Sequence, residues 1–153
     1  MKKHLLIAVA VLGIVASCKK EESSTPKTNP VAETPLQKAV KILSANDWKI
    51  ASMSMGLASG PLIPVPMDDC EKDNYMRFAN DYKLTTFYGT NKCDSAESDQ
   101  AFTVYALNTA ADSITIDAGE YATKFALVNL SANGFEATTI ADGYKQKIVF
   151  VKK

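Results

Sequence analysis

Residues 121–151 read YATKFALVNLSANGFEATTIADGYKQKIVFV. Three runs rich in Ile, Val, Thr, Tyr and Phe, Tyr121–Leu130, Phe135–Ile140 and Lys145–Val151, are separated by Asn133-Gly134 and Asp142-Gly143. Such runs have the period of β-strands. Asn-Gly and Asp-Gly tolerate the positive φ that a tight hairpin demands. The stretch predicts three consecutive antiparallel strands joined by short turns.

Working toward the N-terminus, the same signature returns at Trp48–Met55, Tyr75–Ala79, Tyr82–Tyr88, Phe102–Leu107 and Ser113–Asp117. Asn80-Asp81 and Ala118-Gly119 mark further turns. Leu36–Ser44 predicts a short helix, with Pro35 at its first turn and Leu36, Val40 and Leu43 on one side. Eight short strands in series make an antiparallel meander, which removes its exposed edges by closing into a barrel. The expected fold is all-β: an eight-stranded antiparallel up-and-down barrel over residues 35–153, with a short N-terminal helix. An immunoglobulin-like sandwich would hold its Trp between two distant cysteines, whereas Trp48 precedes both Cys70 and Cys93. A membrane barrel needs strands of ~9–11 residues with apolar outer faces, and most of these runs are shorter.

The N-terminus reads as an address. Lys2 and Lys3 precede an uncharged apolar run, Leu5–Val15, too short to span a bilayer as a helix, for which about 20 residues are needed. A basic start, an apolar core and small residues at its end describe a secretory signal. Val15-Ala16-Ser17-Cys18 resembles the bacterial lipobox, in which small residues precede the cysteine that takes a diacylglyceryl group. Residues 1–17 are therefore expected to be a lipoprotein signal peptide. Cys18 is expected to be the lipidated N-terminus, anchored stably because it carries more than one acyl chain. Cys18-Lys19-Lys20-Glu21-Glu22 is similar to the pattern that sends Bacteroidota lipoproteins to the cell surface; it also reads as a solvated charge run opening a linker. Residues 18–34 are polar and Pro-containing, a flexible linker spanning roughly 20–25 Å. The expected location is the outer membrane, lipid-anchored, with exposure at the cell surface as the finer reading.

Composition narrows the chemistry. Lys+Arg and Asp+Glu both number 17, and cleavage before Cys18 removes Lys2 and Lys3, leaving 15 against 17. No basic field points to nucleic acid. The one histidine, His4, lies in the signal, so the mature chain is expected to have no imidazole. That excludes Ser-His and Cys-His catalysis and any His-ligated metal. No catalytic residues, cofactor or metal are expected, and the chain reads as a non-enzyme.

The order of short motifs carries a resemblance. Asn46-Asp47-Trp48-Lys49-Ile50 opens the first strand. Asp69-Cys70-Glu71-Lys72-Asp73-Asn74, Arg77-Phe78, Asn80-Asp81-Tyr82 and Lys92-Cys93 follow. Over roughly Ala45–Lys153 this resembles the lipocalin-like lipoproteins of Bacteroidota, which pair a lipobox with a small barrel. The resemblance implies a cup for a small ligand and names no ligand.

With Cys18 lipidated, Cys70 and Cys93 are an even pair in an oxidising compartment and are expected to form a disulfide. Closing 23 residues is worth roughly 3.4 kcal/mol in the chain-entropy account. Asp68, Asp69, Glu71, Asp73 and Asn74 fail the calcium-loop template, with Asn74 where Gly is required and Asn80 where a bidentate Glu belongs. They read as a solvated acidic loop. The connection Gly56–Asn74 alternates Leu57, Leu62, Ile63, Val65 and Met67 with Pro61, Pro64 and Pro66. It has two readings: apolar groups plugging one barrel end as core, or a cover over the mouth.

Two functions follow. In one the barrel holds a small apolar ligand, with Trp48, Phe78, Tyr82, Leu84, Tyr105 and Phe125 as the lining expected from alternation. In the other the core is filled, and the loops contact protein or glycan at the surface.

Overall fold

The computed structural model describes residues 32–153. The signal peptide, Cys18 and most of the linker lie outside the described residues.

Helix α1 (Pro35–Ser44) begins one residue before the expected start, because Thr34 and Gln37 form a reciprocal cap. The Gln37 N–H donates to Thr34 Oγ1 at 3.2 Å and the Thr34 N–H donates to Gln37 Oε1 at 2.9 Å. Ala39 and Leu43 are its buried residues, while Leu36 and Val40 are half-buried.

Strands β1 (Asp47–Leu57), β2 (Ile63–Val65), β3 (Tyr75–Phe78), β4 (Lys83–Phe87), β5 (Gln100–Leu107), β6 (Ser113–Asp117), β7 (Ala122–Val128), β8 (Gly134–Ala141) and β9 (Tyr144–Lys152) follow. β1 and β3 to β9 pair in chain order, all antiparallel, and β9 returns to β1. This is the expected closed eight-stranded barrel. The closing seam is long, from Trp48↔Lys152 to Leu57↔Tyr144, with a bulge at Ala51 that reverses which β1 side chains face inward. The β7–β8 seam is short: only Ala126–Val128 pair, with Glu136–Thr138.

The ninth strand was not expected. Within the long connection, Met53–Met55 of β1 pair with Val65, Pro64 and Ile63, filling the edge that short β3 leaves open. Pro64 has no N–H to offer outward, so this edge is blunted against further pairing. Ile63 is 65 % exposed and Leu57 61 %, so these side chains do not plug the barrel as core. Of the connection's apolar residues, Met67 lines a small cavity, together with Glu71 and Asn74.

Behind β2, helix α2 (Asp69–Lys72) carries Cys70, bonded to Cys93 with the Cα atoms 5.1 Å apart. The bond ties the first long connection to the loop after β4, as expected. The acids of this loop have structural partners. Glu71 accepts from the Asp68 N–H, Asp69 pairs with Lys72, and Asp73 Oδ2 accepts from the N–H groups of Thr90 and Asn91.

The turns use the expected residue types with two differences. Asp142 and Gly143 both take positive φ, the tight hairpin anticipated. In the β3–β4 turn the left-handed residue is Tyr82 (φ 63), not Asn80 or Asp81. Gly134 has no positive φ. It lets β9 approach, since a Cβ there would sit 2.6 Å from the Phe150 carbonyl oxygen.

Candidate functional site

α1 closes one end of the barrel. Leu43 is fully buried against the core, and its carbonyl, left without an intrahelical partner at the helix end, accepts from Trp48 Nε1 at 2.8 Å. Beside this contact lies an aromatic cluster. Phe135 stacks on Phe150 at 4.5 Å between centroids, and Phe78 meets Tyr105 edge-on at 5.1 Å. The Tyr105 hydroxyl donates to the Ala79 carbonyl at 2.8 Å, and burial pushes its pKa up to about 12.

Above the cluster the interior is hollow. A cavity of about 270 Å³ has Phe78, Phe135 and Phe150 at its buried end. Its walls follow the sheet register, Ile114 beside Phe125, Ile116 beside Thr123, and Ala137 beside Ile148. At the opposite end it reaches Ala118 and Tyr121, the latter 75 % exposed, so the cavity opens beside the β6–β7 turn. Among its lining residues only Thr123 and Tyr121 have polar side-chain atoms, and no carboxylate or amine lines it. A second cavity of about 100 Å³, lined by Trp48, Met53, Met67 and Glu71 among others, lies where the long connection covers the gap between β1 and β3. Ile50 and Met76 line both.

The six residues expected to line a ligand separate into three groups. Phe78 and Phe125 line the larger cavity, and Trp48 lines the smaller. Leu84 and Tyr105 are buried in the core and line neither cavity. Tyr82 faces outward, 41 % exposed, beside Leu36 and Val40 of α1. The alternation that paired it with Leu84 starts one residue too early, because Tyr82 is still in the turn and β4 begins at Lys83.

Sequence reasoning missed Ile114 with Ile116, Phe135 with Ala137, and Ile148 with Phe150. Each pair is spaced i, i+2 on one strand, which is the signal that could have found them. Ile50 stands at i+2 from Trp48 and carried the same signal, while Met53 was hidden by the Ala51 bulge, which breaks the period.

The site offers apolar enclosure and no acid–base pair. Among the described residues no group of three or more His, Cys, Asp or Glu stands where it could hold a metal ion, and no helix is long and apolar enough to cross a membrane. No protein-family model matches the chain, and a comparison with curated proteins finds no match.

Proposed function

We propose that this chain is a lipid-anchored, extracytoplasmic barrel protein that binds a small apolar ligand inside the barrel and catalyses nothing. The observation that carries the binding reading is the 270 Å³ cavity with its aromatic and aliphatic walls. Sites for small molecules are typically concave, apolar and largely preformed. The anchor rests on Val15-Ala16-Ser17-Cys18, and the outer membrane, with exposure at the cell surface, on Cys18-Lys19-Lys20-Glu21-Glu22. The lipocalin-like lipoproteins of Bacteroidota are the family we propose, on the ordered motifs from Asn46 to Cys93.

Two experiments test the two halves. Titrating residues 19–153 with fatty acids, retinoids and a fluorescent apolar probe should give saturable binding. A correctly folded domain that binds none of them would overturn the cup. Radiolabelled palmitate fed to the host should enter the protein, and Cys18→Ala should lose both label and membrane fractionation. An alanine variant that stays membrane-bound would overturn the anchor.

A second reading is a surface contact with protein or glycan through the loops. Met55, Leu57, Ile63, Val65, Ile140 and Tyr144 are all exposed, and the register pairs Met55 with Ile63 and Leu57 with Tyr144 at one end of the barrel. An apolar end of this kind suits a partner.

A further inference from the structure

We infer that the cavity selects an uncharged ligand of about ten carbon atoms, a single substituted ring or a short chain, bound with its polar end at Thr123. This deepens the cup reading and rests on it.

Size follows from volume. An apolar cavity of about 150 Å³ holds one benzene ring, and drug-sized ligands occupy roughly 300–1,000 Å³. At about 270 Å³ this cavity lies between them. Scaled from benzene, it encloses roughly ten or eleven carbons. A long acyl chain would leave its far half in water.

Orientation follows from where the polar atoms lie. Phe78, Phe135 and Phe150, at the buried end, are 2 %, 3 % and 4 % exposed. The two polar side chains, Thr123 and Tyr121, belong to the strand and turn at the open end, where Ala118 and Tyr121 are exposed. A hydroxyl or carbonyl on the ligand finds a partner only there.

Charge follows from what is missing in the wall. With no carboxylate or amine among the lining residues, an ion drawn inside would be desolvated and unpaired. The turn beside the mouth carries Asp117 and Glu120 and no cation, so it offers no partner to an anionic head. Both acids are exposed, so screening by water leaves little attraction for an amine.

The test is a homologous series on residues 19–153, which keep the Thr34 cap of α1: straight-chain alcohols from butanol to hexadecanol, with the matching carboxylates and amines and a set of substituted benzenes, measured by calorimetry. Alcohol affinity should rise about fourfold per methylene and level off near decanol. Carboxylates and amines of equal chain length should bind at least tenfold more weakly. Ala137→Leu, which fills the wall, should move the plateau to shorter chains, and Ile116→Ala should move it to longer ones. Thr123→Val should remove the advantage of an alcohol over the alkane of equal length.

Affinity that keeps rising to hexadecanol overturns the size limit while the cup stands. Charged heads that bind as tightly as alcohols overturn the neutral selection. A plateau unmoved in both wall variants overturns this cavity as the site. No saturable binding by any member, with native folding verified, removes the cup reading itself.

Discussion

Trp48 meets Phe135 edge-on, with ring centroids 5.1 Å apart and planes at 75°. Trp48 is the one tryptophan of the chain and has no solvent exposure, while Phe135 lines the larger cavity. The indole is therefore one side chain removed from whatever occupies the barrel.

That relationship predicts an optical readout. Occupancy of the cavity should shift or quench the Trp48 emission, and Ala137→Leu should suppress the response to an apolar probe at least tenfold. The fluorescence titration and a melting curve of the variant together check it. An unchanged response in a variant that folds normally would place the probe elsewhere.

The same indole donates to the Leu43 carbonyl. Trp48→Phe should leave that carbonyl without its partner and open space in the closed end, lowering stability by about 2–4 kcal/mol. Urea unfolding followed by circular dichroism measures this. A loss below about 0.5 kcal/mol would mean that α1 is not held through this contact.

Reduction of Cys70–Cys93, or Cys70→Ser with Cys93→Ser, should lower stability by roughly 3 kcal/mol in the chain-entropy account. Part of the loop order should survive, because Asp73 still accepts from Thr90 and Asn91 and Lys92 still pairs with Asp99. A thiol assay on unreduced, unfolded protein should find no free thiol from this pair.

Asp47 receives two hydrogen bonds from Arg77, at 2.7 and 2.9 Å, which join the start of β1 to β3. The hydrogen bond from Arg77 and the guanidinium charge hold the carboxyl below its ordinary 3.8. A carboxyl whose folded pKa is depressed contributes stability that is present above 3.8 and lost as pH falls through the folded value. Because Arg77 is more than half exposed, about 0.5–1 kcal/mol is expected. Asp47→Asn should cost that much at neutral pH, and the cost should fade as pH falls below 3.8 through the folded value, read from paired unfolding curves.

Tyr105 moves in the opposite sense. Its folded pKa is raised to about 12 by burial, so its contribution is complete below the unfolded value of 10.0 and disappears as pH climbs toward 12. Tyrosinate absorbance should show a late step, with Tyr105 ionising near pH 12. Tyr105→Phe should remove that late step and cost about 0.5–1.5 kcal/mol, because the Ala79 carbonyl loses one of its two donors and keeps the Tyr82 N–H.

The barrel was legible in the sequence because closure demands a strict period of two, and Ser113–Asp117 matches its expected bounds residue for residue. What failed was local. Pro61, Pro64 and Pro66 disguise β2, since a strand that uses only one edge can accommodate prolines a central strand cannot. Tyr82 in a left-handed turn displaced the inward register of β4 at its first residue. The hollow was not legible at all. Whether Phe78, Phe135 and Phe150 meet across the barrel or stop short of filling it depends on strand tilt and stagger, which no single strand encodes.

The closing seam joins the first strand to the last, and the Lys153 N–H donates to the Asp47 carbonyl at 2.9 Å. The contacts that complete the wall therefore join residues 87 to 104 positions apart, and loop-closure entropy postpones them. A nascent chain cannot close this barrel until β9 has left the ribosome. For a polypeptide that we propose is exported, the topology itself keeps the barrel open, and hence threadable through a translocation pore, until β9 has emerged.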